Sequence, residues 1–304
     1  MLSRRRFVQA ALSSGCVSAA GLLSLPTVAA SAPMTRRIPS TGEAIPVIGA
    51  GTSGSFETTV GSDKYAQLKD VLKVFFDGGA TVFDTSPNYG GADAILGQLL
   101  DEGGWRPRCF LATKIAADNR AEAQAQWAKS LRDLRTDKVE LLQVHNLRDW
   151  KTQLAYAREL KAQGKTRYVG VTHYLASGLP ELERILRSEK LDFIQINYSV
   201  NAPEAAQMVL PLARDKGVAV LINRAFDDGR LFSKVQAIAL PAWAGEAGVS
   251  SWAQMFLKFA ISHPAVTAVI PATSRADRQA DNLLAGHEPL LDEARQRELM
   301  QLLA

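Results

Sequence analysis

Apolar runs of strand length alternate with longer, helix-periodic segments along most of this chain. "IPVIGAG" (45–51) precedes "SDKYAQLKDVLKVFFDGG", "TVFDT" (81–85) precedes "ADAILGQLLDE", and "CFLATK" (109–114) precedes "RAEAQAQWAKSLRDL". The alternation continues with apolar runs at 139–145, 167–172, 191–197, 218–224 and 266–271, each followed by a helical segment. The strand segments are continuously apolar, the pattern of parallel strands covered on both faces. Glycines close several helices, at Gly78-Gly79, Gly164 and Gly217, where left-handed caps are expected. Eight βα units in about 250 residues predict an α/β fold closed into a (β/α)8 TIM barrel. A doubly wound open sheet is the alternative, but no Gly-x-Gly-x-x-Gly follows the first strand segment. Residues 45–286 contain no domain boundary, low-complexity linker or short repeat.

In such a barrel the C-terminal strand ends deliver the functional side chains. Asp84 ends the second strand segment, Lys114 the third and His145 the fourth, while Tyr89 stands in the loop of "VFDTSPNYGG". Each has an ordinary structural reading: Asp84 as a turn cap, Lys114 and His145 as strand-end loop residues, Tyr89 as rim packing. Their clustering at adjacent strand ends points instead to one site. A tyrosine hydroxyl titrates near pH ~10 and releases its proton reluctantly. A nearby ammonium favours the phenolate, a carboxylate keeps that ammonium charged, and an imidazole can bond a carbonyl oxygen. The set suits protonation of an alkoxide as it forms. The four histidines make no metal-ligand spacing with Cys, Asp or Glu, so no metal is expected and a metal-dependent barrel hydrolase lacks ligands. His263 reads as a helix-end cap and His287 as a loop residue.

With these motifs in place, the chain resembles the aldo-keto reductase family along nearly all of the sequence after residue 32. "STGEAIPVIGAGTSGSF" is similar to that family's opening hairpin and first strand, and "FDTSPNYGGADAILGQLL" to its Asp-Thr-Ala-x-x-Tyr-Gly motif. "LATK", "LLQVHN", "YVGVTHY" and "IQINYS" follow in family order, and "VIPATSRADRQADNL" closes the barrel. The resemblance implies a TIM barrel with an N-terminal β-hairpin over 33–304 and an NAD(P)H-dependent reductase of a small-molecule aldehyde or ketone. By the same resemblance Tyr89 would be the general acid, Lys114 would lower its pKa, Asp84 would hold Lys114, and His145 would orient the carbonyl.

The resemblance also implies cofactor contacts from Gly51, Thr52, Thr172, His173, Gln195, Asn223 and Arg224. Gln195 matches a carboxamide-binding glutamine. His173 stands where the family has an amide, Asn223 where it has a stacking aromatic, and Ser53 where a tryptophan is common. An imidazole can supply one hydrogen bond but not both ends of an amide. The Arg224 guanidinium plane is expected to cover the nicotinamide face instead. Thr273, Ser274, Arg275, Arg278, Asp281 and Asn282 follow the family's adenosine-phosphate segment. Two arginines three apart, Arg275 and Arg278, favour NADP(H) over NAD(H), because guanidinium pairs well with phosphate. The sequence ends at Ala304 with "PLLDEARQRELMQLLA", and the substrate-covering loop of many family members is not expected, so specificity is expected to rest on loops near Phe56, Tyr89 and Trp150. The changes at Asn223 and His173 keep one alternative open: a cofactor-binding redox sensor or partner subunit with little turnover.

The N-terminus changes the picture of location. "MLSRRRFVQAALSSGCVSAAGLLSLPTVAASA" has a basic start, an apolar middle and a small-residue end, as in a secretory signal, with Ser3-Arg4-Arg5-Arg6-Phe7-Val8 resembling a twin-arginine export motif. Residues 1–32 are therefore expected to be a signal recognised by the twin-arginine machinery and cleaved after Ala30 or Ala32, leaving a periplasmic protein. An uncleaved anchor and lipidation at Cys16 are the alternatives; the apolar run is broken by Ser, Gly and Pro, and "SSGC" is a weak lipobox. Removing 1–32 takes the net charge from +4 to +1, and nothing points to nucleic acid. One cysteine, Cys109, then remains, and a buried strand position is expected for it. No long exposed apolar stripe stands out, so a monomer or weak oligomer is expected. A folded-state export route would let the protein bind its cofactor before crossing, with slow release or a recycling partner outside.

Overall fold

Short apolar strands, buried on both faces, pair in parallel in the order of the sequence in the computed structural model, which describes residues 32–304. The expected export segment and the Ala30 cleavage site lie outside the described residues. Two strands, β1 (Thr35–Arg37) and β2 (Ala44–Pro46), form an antiparallel hairpin. The barrel strands are β3 (Ala50–Gly51), β4 (Val82–Asp84), β5 (Phe110–Ile115), β6 (Val139–Val144), β7 (Thr166–Thr172), β8 (Phe193–Asn197), β9 (Ala219–Asn223) and β10 (Ala268–Val269). Parallel bridges from Ile48 to Val269 and from Gly51 to Ala272 join the first strand to the last and close the barrel. The (β/α)8 barrel with its N-terminal hairpin is thus the observed fold.

The helices are α1 (Asp63–Asp77), α2 (Ala92–Glu102), α3 (Arg120–Asp133), α4 (Trp150–Ala162), α5 (Leu179–Ser188), α6 (Val209–Asp215), α7 (Arg230–Lys234), α8 (Trp252–Ser262), α9 (Ala276–Leu284) and α10 (Glu293–Leu302). Ser62, Asn119, Ser251 and Asp292 cap α1, α3, α8 and α10 by accepting backbone N–H bonds, which satisfies donors that a helix start leaves open. The glycines expected to end helices do so with positive φ at Gly79, Gly164 and Gly217. Cys109 is buried immediately before β5.

The apolar segment at 45–51 is two elements rather than one strand. Ala44–Pro46 belongs to the hairpin, while Ile48 and Ala50–Gly51 pair in the barrel. The hairpin plugs the barrel: Ile38 and Ile45 are buried in one apolar cluster with the inward residues Val82, Phe110, Leu141, Tyr168, Phe193 and Leu221. The Tyr168 hydroxyl meets Thr41 and Glu43 of the hairpin turn at 2.7 and 2.5 Å. With one end plugged, the opposite end, where the strands finish, is open to carry a site.

Candidate active site

The strand ends place Asp84, Lys114 and His145 side by side. β4 finishes at Asp84, Lys114 is the penultimate residue of β5, and His145 directly follows β6. Lys114 Nζ donates to Asp84 Oδ1 and, at 2.9 Å, to the Thr85 carbonyl. Both side chains of the pair are buried, at 0% and 3% exposure. The other Asp84 oxygen accepts from Gln143 Nε2 at 3.0 Å and from Gln195 Nε2 at 2.9 Å.

The loop after β4 brings Tyr89 back over this pair. Gly90 and Gly91 adopt φ of +50° and +85°, conformations that disfavour a side chain, and the chain then enters α2. The Tyr89 ring lies with its centroid 5.1 Å from Lys114 Nζ and meets the His145 ring edge-on at 5.7 Å. Ser86 Oγ lies 3.1 Å from His145 Nδ1. Tyr89, Asp84 and His145 line a cavity of about 720 Å³, with Lys114 beneath them.

Burial works against the Lys114 charge, but the facing Asp84, with Tyr89, more than offsets it, so Lys114 stays cationic. Burial raises the Tyr89 hydroxyl above its usual value, and the Lys114 charge only partly opposes that. Lys114 lowers the tyrosine as expected, but desolvation outweighs it and the net direction is upward. Burial, reinforced by the Lys114 charge, pushes His145 down to about 3, leaving a neutral imidazole.

The main cavity is also lined by Gly51, Thr52, Thr172, Gln195, Asn223, Arg224 and Arg278. A second cavity of about 620 Å³ shares Phe226, Phe232, Ala272 and Arg278 with it and takes in Thr273, Asp281 and Asn282. Thr172 Oγ1 accepts from Asn146 N–H at 3.1 Å. Asn223 Nδ2 reaches Gln195 Oε1 at 3.4 Å, continuing the polar line that runs to Asp84. The Thr52 hydroxyl donates to Thr85, which donates to the buried carboxyl of Asp93. Asp281 accepts from Ser251 and Gln254.

Several expected site residues stand elsewhere. Phe56 is 1% exposed and packs edge-on against Phe83 in the core. Trp150 opens α4 and donates to Glu181 at 2.9 Å, away from both cavities. The His173 ring turns onto Gly178 and the Leu175 backbone, so Tyr174 rather than His173 lines the cavity. Ser274 and Arg275 line neither cavity, and Arg275 is paired with Asp277. Arg224 lines the cavity, but its guanidinium is engaged with Asp228 and the Tyr174 carbonyl and lies over the Tyr174 ring.

Other lining residues went unseen in the sequence: Asn88, Asn146, Tyr174, Phe226 and Phe232. For Tyr174 the available signal was its place beside His173 at a strand end. For Phe226 and Phe232 it was two aromatics in the long segment after the seventh strand run.

A model of the Aldo/keto reductase family matches residues 47–302. Aldo-keto reductase YhdN of Bacillus subtilis is 29% identical over 217 residues, 65% of this chain and 63% of its own length. The NADH-specific methylglyoxal reductase of Escherichia coli is 24% identical over 197 residues, 55% of this chain and 58% of its own. The chain thus spans less than two thirds of the length of either relative. The crystal structure of an aldo/keto reductase from Klebsiella pneumoniae in complex with NADP and acetate superposes with a TM-score of 0.73 at 24% identity, covering 86% of this chain and 93% of that one.

Proposed function

Because the chain belongs to the aldo/keto reductase family, we propose that it is an NAD(P)H-dependent oxidoreductase that reduces an aldehyde or ketone to the alcohol with Tyr89 as proton donor and NADP(H) as cofactor. The observation that carries this reading is the buried Lys114–Asp84 pair beneath a protonated Tyr89, beside a neutral His145, on one cavity.

The cavities fit a dinucleotide. They adjoin through shared lining residues, as an elongated ligand needs. Arg278 lines both and has no acidic partner among the described residues. It would meet a 2′-phosphate, with Thr273 and Asn282 at the adenosine end and Thr172, Gln195 and Asn223 at the nicotinamide end. The bound cofactor supplies the hydride. The residues of the chain do the rest: His145 donates a hydrogen bond to the carbonyl oxygen, and Tyr89 gives its hydroxyl proton to that oxygen as it becomes an alkoxide. Lys114 stabilises the phenolate left behind, and Asp84, fixed by Gln143 and Gln195, keeps Lys114 charged and in place.

NADPH consumption over a panel of aldehydes, ketones and quinones tests the reading. Turnover of a carbonyl supports it; tight NADPH binding with no turnover across the panel would favour a sensor or partner subunit. The export reading is likewise proposed: cell fractionation should find the processed protein in the periplasm, and a chain that stays cytoplasmic with its N-terminus intact would remove it.

A further inference from the structure

We propose that Ser86 is a positioning residue that fixes the tautomer of His145, keeping the imidazole proton on Nε2. Its consequence for catalysis rests on the carbonyl-reduction reading, but its geometry does not. Ser86 stands at the alanine position of the Asp-Thr-Ala-x-x-Tyr-Gly motif quoted above.

The hydrogen bonds around Ser86 and His145 decide the tautomer. His145 is neutral, so its ring carries a single proton, on either Nδ1 or Nε2. Ser86 is 1% exposed, and its Oγ already accepts the Asn88 N–H at 3.3 Å. Its hydroxyl hydrogen needs an acceptor, and His145 Nδ1 lies 3.1 Å away. If Nδ1 carried the proton it would donate to Oγ, and the Ser86 hydrogen would be buried without a partner, which is costly. Donation from Ser86 to Nδ1 avoids that cost and places the proton on Nε2. Nε2 has no protein hydrogen-bond partner among the described residues, and His145 lines the cavity. It is therefore the nitrogen left to donate to a carbonyl oxygen, which accepts and cannot give.

The experiment is two-bond ¹H–¹⁵N NMR of the histidine rings in the full chain at neutral pH. Only four histidines are present, and a His145→Gln variant assigns the relevant signals. The expected result is an Nε2–H tautomer for His145 in the wild type. In Ser86→Ala it should shift toward Nδ1–H or a mixture, with kcat for carbonyl reduction falling about tenfold and KM little changed. Ser86→Thr, which retains the hydroxyl, should restore the wild-type tautomer. An Nδ1–H tautomer in the wild type, or an unchanged tautomer in Ser86→Ala, overturns the assignment. Should Ser86→Ala fail to fold, the wild-type and Ser86→Thr spectra still decide: Nε2–H in both supports the assignment, and Nδ1–H in either overturns it. A Ser86-dependent Nε2–H tautomer in a protein that reduces no carbonyl would fault the proposed function and leave the role of Ser86 standing.

Discussion

Gln195 donates its side-chain amide to Asp84 Oδ2 at 2.9 Å, tying the middle of β8 to the end of β4. With Gln143 on the same oxygen and Lys114 on the other, the Asp84 carboxylate is bonded from three directions. Such a group is stable only as a set, because each partner is buried.

Removing one charge should therefore cost more than removing both. Asp84→Asn leaves the Lys114 ammonium buried without its counter-charge, for which about 3–5 kcal/mol of stability loss is expected. The double variant Asp84→Asn/Lys114→Met should recover most of that loss and remain inactive. Chemical denaturation at neutral pH, paired with NADPH oxidation, checks both halves.

The pH profile of carbonyl reduction should lack a histidine limb. His145 stays neutral down to about 3, and burial keeps Tyr89 protonated above the usual tyrosine range. Accordingly kcat/KM should be level from about pH 5 to about pH 9. A fall centred near the ordinary histidine value of ~6.5 would mean that the imidazolium is the working form.

The two arginines of the α9 entry should differ. Arg278 lines both cavities, whereas Arg275 is paired with Asp277. Arg278→Ala should weaken NADPH binding about 10- to 100-fold, the worth of charge-assisted bonds to a phosphate, and leave NADH binding little altered. Arg275→Ala should change neither. Fluorescence titration with the two nucleotides reads this directly.

The contrast between these arginines also marks how far the sequence could be read. Both sit in the motif, three residues apart, and nothing in that spacing reveals that Asp277 takes one of them away. The strand-end set was legible because a parallel strand has one polar exit, so Asp84, Lys114 and His145 could only emerge at the same rim. Loop residues carry no such constraint. Phe56 could have faced the cavity or the core, and contact with Phe83 decided for the core. His173 follows a strand directly, yet the space left by Gly178 drew its ring outward and gave the cavity Tyr174. The hairpin was legible as a resemblance, but the bend that separates β2 from β3 lay inside one apolar run. The direction of the Tyr89 shift needed the packed structure, since the desolvation that opposes Lys114 comes from neighbours distant in sequence.

The account rests most heavily on the Tyr89 hydroxyl, and Tyr89→Phe removes that group while keeping the ring packed against His145. Steady-state carbonyl reduction by this variant, alongside its NADPH affinity, is the direct measurement. The account predicts a loss of kcat of about 10²- to 10⁴-fold with NADPH binding retained; carbonyl reduction at the wild-type rate would contradict it.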